Sequence, residues 1–398
     1  MVWQGGMVID NGAALDSVIA HGLQEGAIDY DEISSTVDAL AGSGDISLVP
    51  RLRQVLERFL DEENFYGRDL IAAVLAGIAG VEALPALLGA AARDLGDDQD
   101  GLQADIAGLL DADPQVSRQK ILELVYSDVL EHRRVGLLAL GQVAETDDVP
   151  LLAEATRHTD PAVRLMVVDT LPDLAGEDVA LQVLTAALQD SDQRVRLAAT
   201  SRLAATRHSH AVEPLVELLT DPNPQVRARA AYALGRLGNA SATPALRDLL
   251  HDTDRRVREQ ARDALGEIGA ADAVDALLAE AISPDPRLRA QAAKALANST
   301  QRDERAAPQL ILLAHDPSPD VRAATLSGLA TVADQSSRWA SLATELANDP
   351  DPMVRQRVAN VARHLAPDDL SGILHRLAAD PEPIVQQAAT AQLAQLLR

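Results

Sequence analysis

The chain contains no cysteine. Disulfides, thiolate metal sites and cysteine nucleophiles are thereby excluded. Aromatic residues make up only 2% of its 398 residues, although 47% are hydrophobic. The apolar mass is Ala, Leu and Val, which does not suit the thick cores that compact enzymes fill with large rings. It suits thin layers in which helices approach closely, and Ala and Leu are strong helix formers. Lysine is nearly missing: Lys120 and Lys294 are the two, and Arg carries the rest of the fixed positive charge. No run of about 18 apolar residues stands out, which predicts no membrane span. The start, Met1-Val2-Trp3-Gln4-Gly5-Gly6-Met7, lacks a basic region followed by an apolar core. No secretory signal is read there, and the expected location is cytoplasmic.

Charge of one sign dominates what is present. The formal net charge is −25, from 60 acidic and 35 basic residues. A chain this acidic repels phosphate backbones and anionic lipid, which argues against nucleic acid and membrane surfaces as partners. Basic or mixed-charge proteins and peptides fit better.

A length of 398 residues allows two or three compact domains or one elongated array, and an internal repeat decides for the array. Asp221-Pro222-Asn223-Pro224-Gln225-Val226-Arg227 leads into Ala230-Ala231-Tyr232-Ala233-Leu234-Gly235. The same pattern opens at Asp190, Asp252, Asp316 and Asp349. Its arginines, Arg164, Arg196, Arg227, Arg258, Arg289, Arg322 and Arg355, recur about every 31 to 33 residues, the period of a stacked supersecondary unit. Downstream, Asp380 to Gln386 is a final copy with Gln in the Arg place. Upstream, Arg133 with Ala139-Leu140-Gly141 fits one period before Arg164.

Each unit reads as two helices. Val212, Leu215, Val216, Leu218 and Leu219 line one face of the first, and Val226, Ala230, Ala233, Leu234 and Leu237 line one face of the second. Asp-Pro and Asn-Pro pairs mark the turn between them, because Pro is tolerated in a first helical turn and the residue before it can accept from free N–H groups. Gly238 and Gly269 fall where the chain leaves a second helix and needs positive φ. Weaker helical patterns lie near Ala13–Leu23 and Tyr30–Leu40. One unit cannot bury its apolar face alone, so stacking must supply the core.

The signature Asp-Pro-x-Pro-x-Val-Arg-x-x-Ala-Ala-x-Ala-Leu-Gly resembles HEAT repeats, specifically the short bacterial and archaeal type related to phycobilisome-lyase repeats. The resemblance implies an all-α fold, a right-handed α-α superhelix or solenoid of about 11–12 helical pairs. It predicts an N-terminal helical cap or atypical repeat over 1–44, degenerate repeats over 45–130 and regular repeats over 131–398, in one continuous solenoid. It also implies a structural ladder, in which Asp221, Asp252, Asp316 and Asp349 pair within or between units with Arg227, Arg258, Arg322 and Arg355. Periodic recurrence favours that role over a row of catalytic pairs, because a catalytic residue is normally needed once.

No catalytic, cofactor-binding or metal-binding residue is expected. His158, His251 and His315 end first helices, where a cation suits the helix dipole, and lie a unit or more apart. His208-Ser209-His210 reads as a solvated turn. Deoxyhypusine hydroxylases of the HEAT type bind a di-iron centre through His-Glu pairs, and this chain has only the reversed Glu131-His132. Bilin lyases share the repeat, so a lyase or an accessory subunit handling a chromophore or other prosthetic group is the alternative function. Nucleic-acid binding is the third, and the acidity argues against it. The leading expectation is a non-enzymatic scaffold or adaptor that binds a protein or peptide on a concave face built from second helices. Offsets +2, +5 and +9 from each motif Arg lie opposite the core side of the wheel, at roughly 100° per residue. They give Met166, Asp169, Asp173; Ala198, Ser201, Ala205; Arg229, Tyr232, Arg236; Gln260, Asp263, Glu267; Gln291, Lys294, Asn298; and Arg357, Asn360, His364. Arg229, Tyr232 and Arg236 form the expected hot spot, since Tyr and Arg are enriched at such sites. Trp339 is expected to pack between units.

Overall fold

The computed structural model describes residues 2–4, 7–24, 31–93, 95–96, 99–206, 209–331, 336–365 and 370–396. Contacts group the chain into two compact units, Met1–Gly176 and Glu177–Arg398.

The second unit is built of helical pairs that follow the periodic motif. Its second helices are Gln193–Thr206, Pro224–Leu237, Arg255–Ile268, Pro286–Ser299, Pro319–Ala330, Pro352–Leu365 and Pro383–Leu396. Each packs against the next. The residue just before the helix provides the N-cap, and Pro at the first position has no N–H to satisfy. Asn223, Asp254 and Asp285 accept from the N–H of Gln225, Arg256 and Arg287 at 2.7, 2.7 and 2.8 Å. The first Asp of the motif is thereby left for another task. Gly238 and Gly269 close two of these helices at φ 67° and 60°, the left-handed region that side chains with a Cβ avoid.

Val226, Leu234, Val257, Leu265, Leu296, Val321, Val354 and Val385 are all buried. Their small companions set how closely the second helices approach. A Cβ placed on Gly235 would lie 2.7 Å from Ala264 Cα, and one on Gly266 would strike the Ala295 carbonyl. The Ala-Leu-Gly end of the motif is therefore a packing requirement. Trp339, on the first helix Ser336–Leu346, is buried at 2% exposure.

The first unit opens with an antiparallel pair of three-residue strands, Val2–Gln4 and Met7–Ile9, with Trp3 opposite Val8. These strands depart from the all-helical expectation, and the β-branched valines flanking Gly5-Gly6 are the sequence signal for them. Helices Asn11–Gly22 and Asp31–Ala41 follow. The stretch Phe65–Ala91 is, by length and composition, apolar enough to cross a membrane, which corrects the expectation that no such run exists. It is divided into helices Phe65–Ala79 and Leu84–Ala91 by a segment starting at Gly80 with φ 54°. Leu70, Ile71, Val74, Leu75, Leu84 and Leu87 are buried in the unit's core, which accounts for the apolarity.

Candidate functional site

The periodic arginines sit four residues into their helices and bind in two directions. Nη1 reaches back to the turn that precedes the helix: Arg227 donates to Asp221 O at 2.8 Å, Arg322 to Asp316 O at 2.9 Å and Arg355 to Asp349 O at 2.8 Å. The Nε–Nη2 edge reaches forward to the motif Asp of the next repeat. Arg196 holds Asp221 at 2.7 and 3.0 Å, and Arg227 holds Asp252 at 2.8 Å through both nitrogens. Arg289–Asp316, Arg322–Asp349 and Arg355–Asp380 repeat the fork at 2.6–2.8 Å. Each pair thus ties one repeat to the next with two parallel charge-assisted bonds. Each Asp also closes its own turn, as Asp221 does by accepting from Asn223 N at 2.8 Å. The hydrogen bonds from Arg227 and Arg355 hold Asp252 and Asp380 below the ordinary carboxylate pKa. Burial pushes Asp316 up more strongly than any one partner pulls it down, but the Arg289 bond, the Ser318 N–H and the charges of Arg289 and Arg322 together lower its pKa.

Four places depart from the pattern. Gln386 keeps the backward bond, from Nε2 to Asp380 O at 2.5 Å, without a charge. His158 occupies the place of the motif Asp: its Nδ1 accepts from Asp160 N at 3.0 Å, and Arg164 Nη1 donates to its carbonyl at 2.8 Å. One repeat earlier, Arg134 and not Arg133 reaches forward, to Asp160 at 3.1 Å, while also gripping Glu131 at 2.7 Å. Arg258 makes its backward bonds, to Asp252 O and Thr253 O at 2.7 and 3.0 Å, and no ion pair forward among the described residues.

The stripe residues lie along the second helices, from Met166 in Pro161–Leu174 to His364 in Pro352–Leu365. Arg229, Tyr232, Arg236, Asp263 and Lys294 are exposed, and Gln260 and Glu267 half-buried. Tyr232 is 40% exposed, with the Arg229 guanidinium 5.7 Å from its ring centroid, inside the range of a cation–π contact. Leu197, Gln225, Arg256, Glu259 and Gln260 join these two around a hollow of about 460 Å³. Loss of water raises the pKa of Asp263, and the charges of Glu267 and Glu259 add to it against Lys294 and Arg262. Loss of water also raises Glu267, opposed by Arg236 and Arg302. The structure brings Arg236 near Glu267 and Lys294 near Asp263, with none of the four in a salt bridge. At the other stripe positions, Asp169, Asp173, Ala205, Arg357, Asn360 and His364 are exposed, and Met166, Ala198, Ser201, Gln291 and Asn298 half-buried.

The remaining histidines stay separate. His315 Nδ1 lies 2.7 Å from Ile311 O and Nε2 lies 2.9 Å from Glu345, and these two contacts raise its pKa. His251 is exposed at the end of a short 3-10 segment, Leu249–His251. His208 lies outside the described residues, among which no three His, Asp or Glu side chains group as a metal site. One buried pair escapes the periodic reading: Arg262 is buried in helix Arg255–Ile268 and forks onto Glu280 at 2.7 and 2.9 Å. Four residues after the motif Arg, other repeats carry Ala231, Ala293, Leu326 and Ala359, so a charge at that offset is the signal.

The family model for HEAT repeats matches residues 118–204, 181–266, 212–297, 251–330 and 307–394. No curated protein matches the sequence. Among solved structures, Kap121p is similar at 15% identity and TM-score 0.55 over 96% of this chain and 48% of its own, so the chain spans about half of Kap121p. Kap95p in complex with RanGDP is similar at 16% identity and TM-score 0.50, over 97% of this chain and 61% of that one. The phycocyanin lyase pair CpcE and CpcF of Nostoc sp. PCC7120 matches at 23% identity over 57% of this chain and 92% of the other, with a TM-score of only 0.36. The karyopherin likenesses show the fold alone. The HEAT model covers well over half of the sequence, from Arg118 to Ala394, and the chain belongs to the HEAT-repeat family.

Proposed function

We propose that this chain is a non-enzymatic scaffold or adaptor that binds a protein or peptide along its second helices, the side a curved stack turns inward. The observation that carries the reading is the exposed Arg229–Tyr232 pair beside the hollow at Gln225 and Arg256. In a chain with 2% aromatics, a ring left at the surface is out of place as packing. Tyr and Arg offer large contact area and directional bonds to a partner. Asp263 and Glu267 add to this, since both carry a raised pKa beside that surface and make no salt bridge among the described residues. A mixed-charge segment lying across consecutive helices supplies bases to them and an acid to Arg236. Kap121p, which shares the fold, is seen bound to RanGTP.

The test is a peptide library selected on the intact chain, followed by affinities for the best binders. Tyr232→Ala with Arg236→Ala is expected to weaken binding by about tenfold or more while moving stability by no more than roughly 0.5 kcal/mol, as for other surface substitutions. Equal affinity for the double variant removes this patch from consideration.

A further inference from the structure

Arg258 is the ladder arginine with a free fork. Every forward fork from a motif arginine described above runs 25 or 27 residues ahead. The residue 25 beyond Arg258 is Ser283, where the other regular turns place Asp. Ser283 still closes its turn, accepting from Asp285 N at 3.2 Å, and its carbonyl still receives Arg289 Nη1 at 2.9 Å. The backbone of the rung is therefore formed, and only the carboxylate is replaced. Arg258 is meanwhile fixed by its two backward bonds, so its Nε–Nη2 edge is already oriented, which lowers the entropy cost of engaging a ligand.

That guanidinium and Ser283 line an open cleft of about 1040 Å³ together with Leu250, Ala276, Ala279 and Ile282. Ile282 is 75% exposed, so an apolar wall stands beside the fork. Three of the acids along the cleft are already committed: Asp252 to Arg227, Asp275 to Arg305 and Glu280 to Arg262. Asp248 and Asp272 at its edge disfavour a dianion more than a monoanion. We infer that this cleft recognises a carboxylate carried next to an aliphatic side chain, as in an acidic peptide segment, with Arg258 taking it bidentately in place of the missing ladder aspartate. The site lies on the turn and first-helix side, so it stands independently of the Tyr232 surface.

The probe is a fluorescein-labelled, end-blocked pentapeptide with one glutamate between two leucines, titrated into the intact chain by anisotropy at 0.15 M salt. At that strength the net charge acts only over about 8 Å. Saturable binding is expected, weakened by about tenfold or more in both Ser283→Asp and Arg258→Gln. Ser283→Asp fills the fork from within and is expected to melt no lower than the parent. Arg258→Gln keeps the backward bond, as Gln386 does in this chain. The same peptide with glutamine for glutamate is expected not to bind, and acetate at the peptide's concentration is expected not to displace it. The inference is overturned by absence of saturable binding to the parent chain, or by undiminished binding to either variant. Binding of the glutamine peptide, or displacement by equimolar acetate, overturns it too.

Discussion

The two units solve the same burial problem with different materials. From Glu177 onward the protein repeats one solution: small residues between close helices, and a fork from each arginine to the next repeat's aspartate, with the one exception at Ser283. Up to Gly176 the ladder survives in part, at Arg134 and Arg164, and the other contacts are individual. Phe59 and Arg68 are fully buried, Arg68 Nη2 reaches Asp69 at 2.7 Å, and His21 Nε2 lies 3.0 Å from the Tyr66 hydroxyl. The carboxylates show the contrast most directly. In the repeated part Asp252 and Asp380 are stabilised as anions. In the first unit, loss of water and the charge of Asp69 push Asp105 up to about 6. A ladder aspartate inherits its arginine from the repeat, whereas Asp105, like Asp263 and Glu267 on the stripe, loses water at a place for which the pattern supplies no fork.

The largest expected effect tests the thinness of the repeated core. Leu234→Ala removes a fully buried side chain and is expected to cost about 2–5 kcal/mol. Because stacked repeats contact mainly their neighbours, hydrogen exchange should quicken in helices Pro224–Leu237 and Arg255–Ile268 and not in Phe65–Ala79. Uniform loss across both regions would break the comparison. Next comes Arg322→Met, which strands the nearly buried Asp349 and frees two turn carbonyls. A cost of roughly 2–4 kcal/mol is expected at pH 7, read from denaturant midpoints.

The third prediction uses the opposite signs of the carboxylates. Asp105 has a folded pKa near 6, above its ordinary 3.8. Stability is therefore fullest below pH 3.8 with respect to this group, and is lost as pH rises towards 6. Asp105→Asn should raise stability by about 1–3 kcal/mol above pH 6 and change little below pH 4. Asp252 and Asp380 work in reverse: their contribution is present above 3.8 and disappears as acid titrates them in the fold. Melts across pH 3–8 for the parent and the Asn variant at 105 separate the two slopes. The smallest effect is Gly238→Ala, which places a Cβ at φ 67° with open space around it. It should cost about 1 kcal/mol, visible as a small drop in melting temperature.

Periodicity made the repeats legible, because each arginine carries one backbone-holding and one ladder function and cannot be moved without losing both. Helix starts were legible from the residue before Pro, and helix ends from Gly238 and Gly269. Which aspartate each arginine grips was not, since a spacing of 25 or 27 residues emerges only from how far the intervening helices carry the chain. Arg262–Glu280 hid for a related reason: an apolar template has no place for a charge, although the departure from Ala at that offset was written in the sequence. The part of the first unit before Arg118 lies outside the matched repeats, so the short strands and the division at Gly80 had only local signals. The spacing predicts a stripe along the second helices, whose members in the structure are partly exposed and partly half-buried, and the raised carboxylates within it depend on water lost to neighbouring helices.

Gly235 over Ala264 and Gly266 over Ala295 have a consequence for the history of such a gene. Each glycine makes a demand 29 residues away, on a residue that any copy of the segment would bring with it. A duplicated stretch therefore arrives already fitted to the copy behind it and the copy ahead. Growth by whole segments costs little, while a point change at either member of the pair must wait for its counterpart.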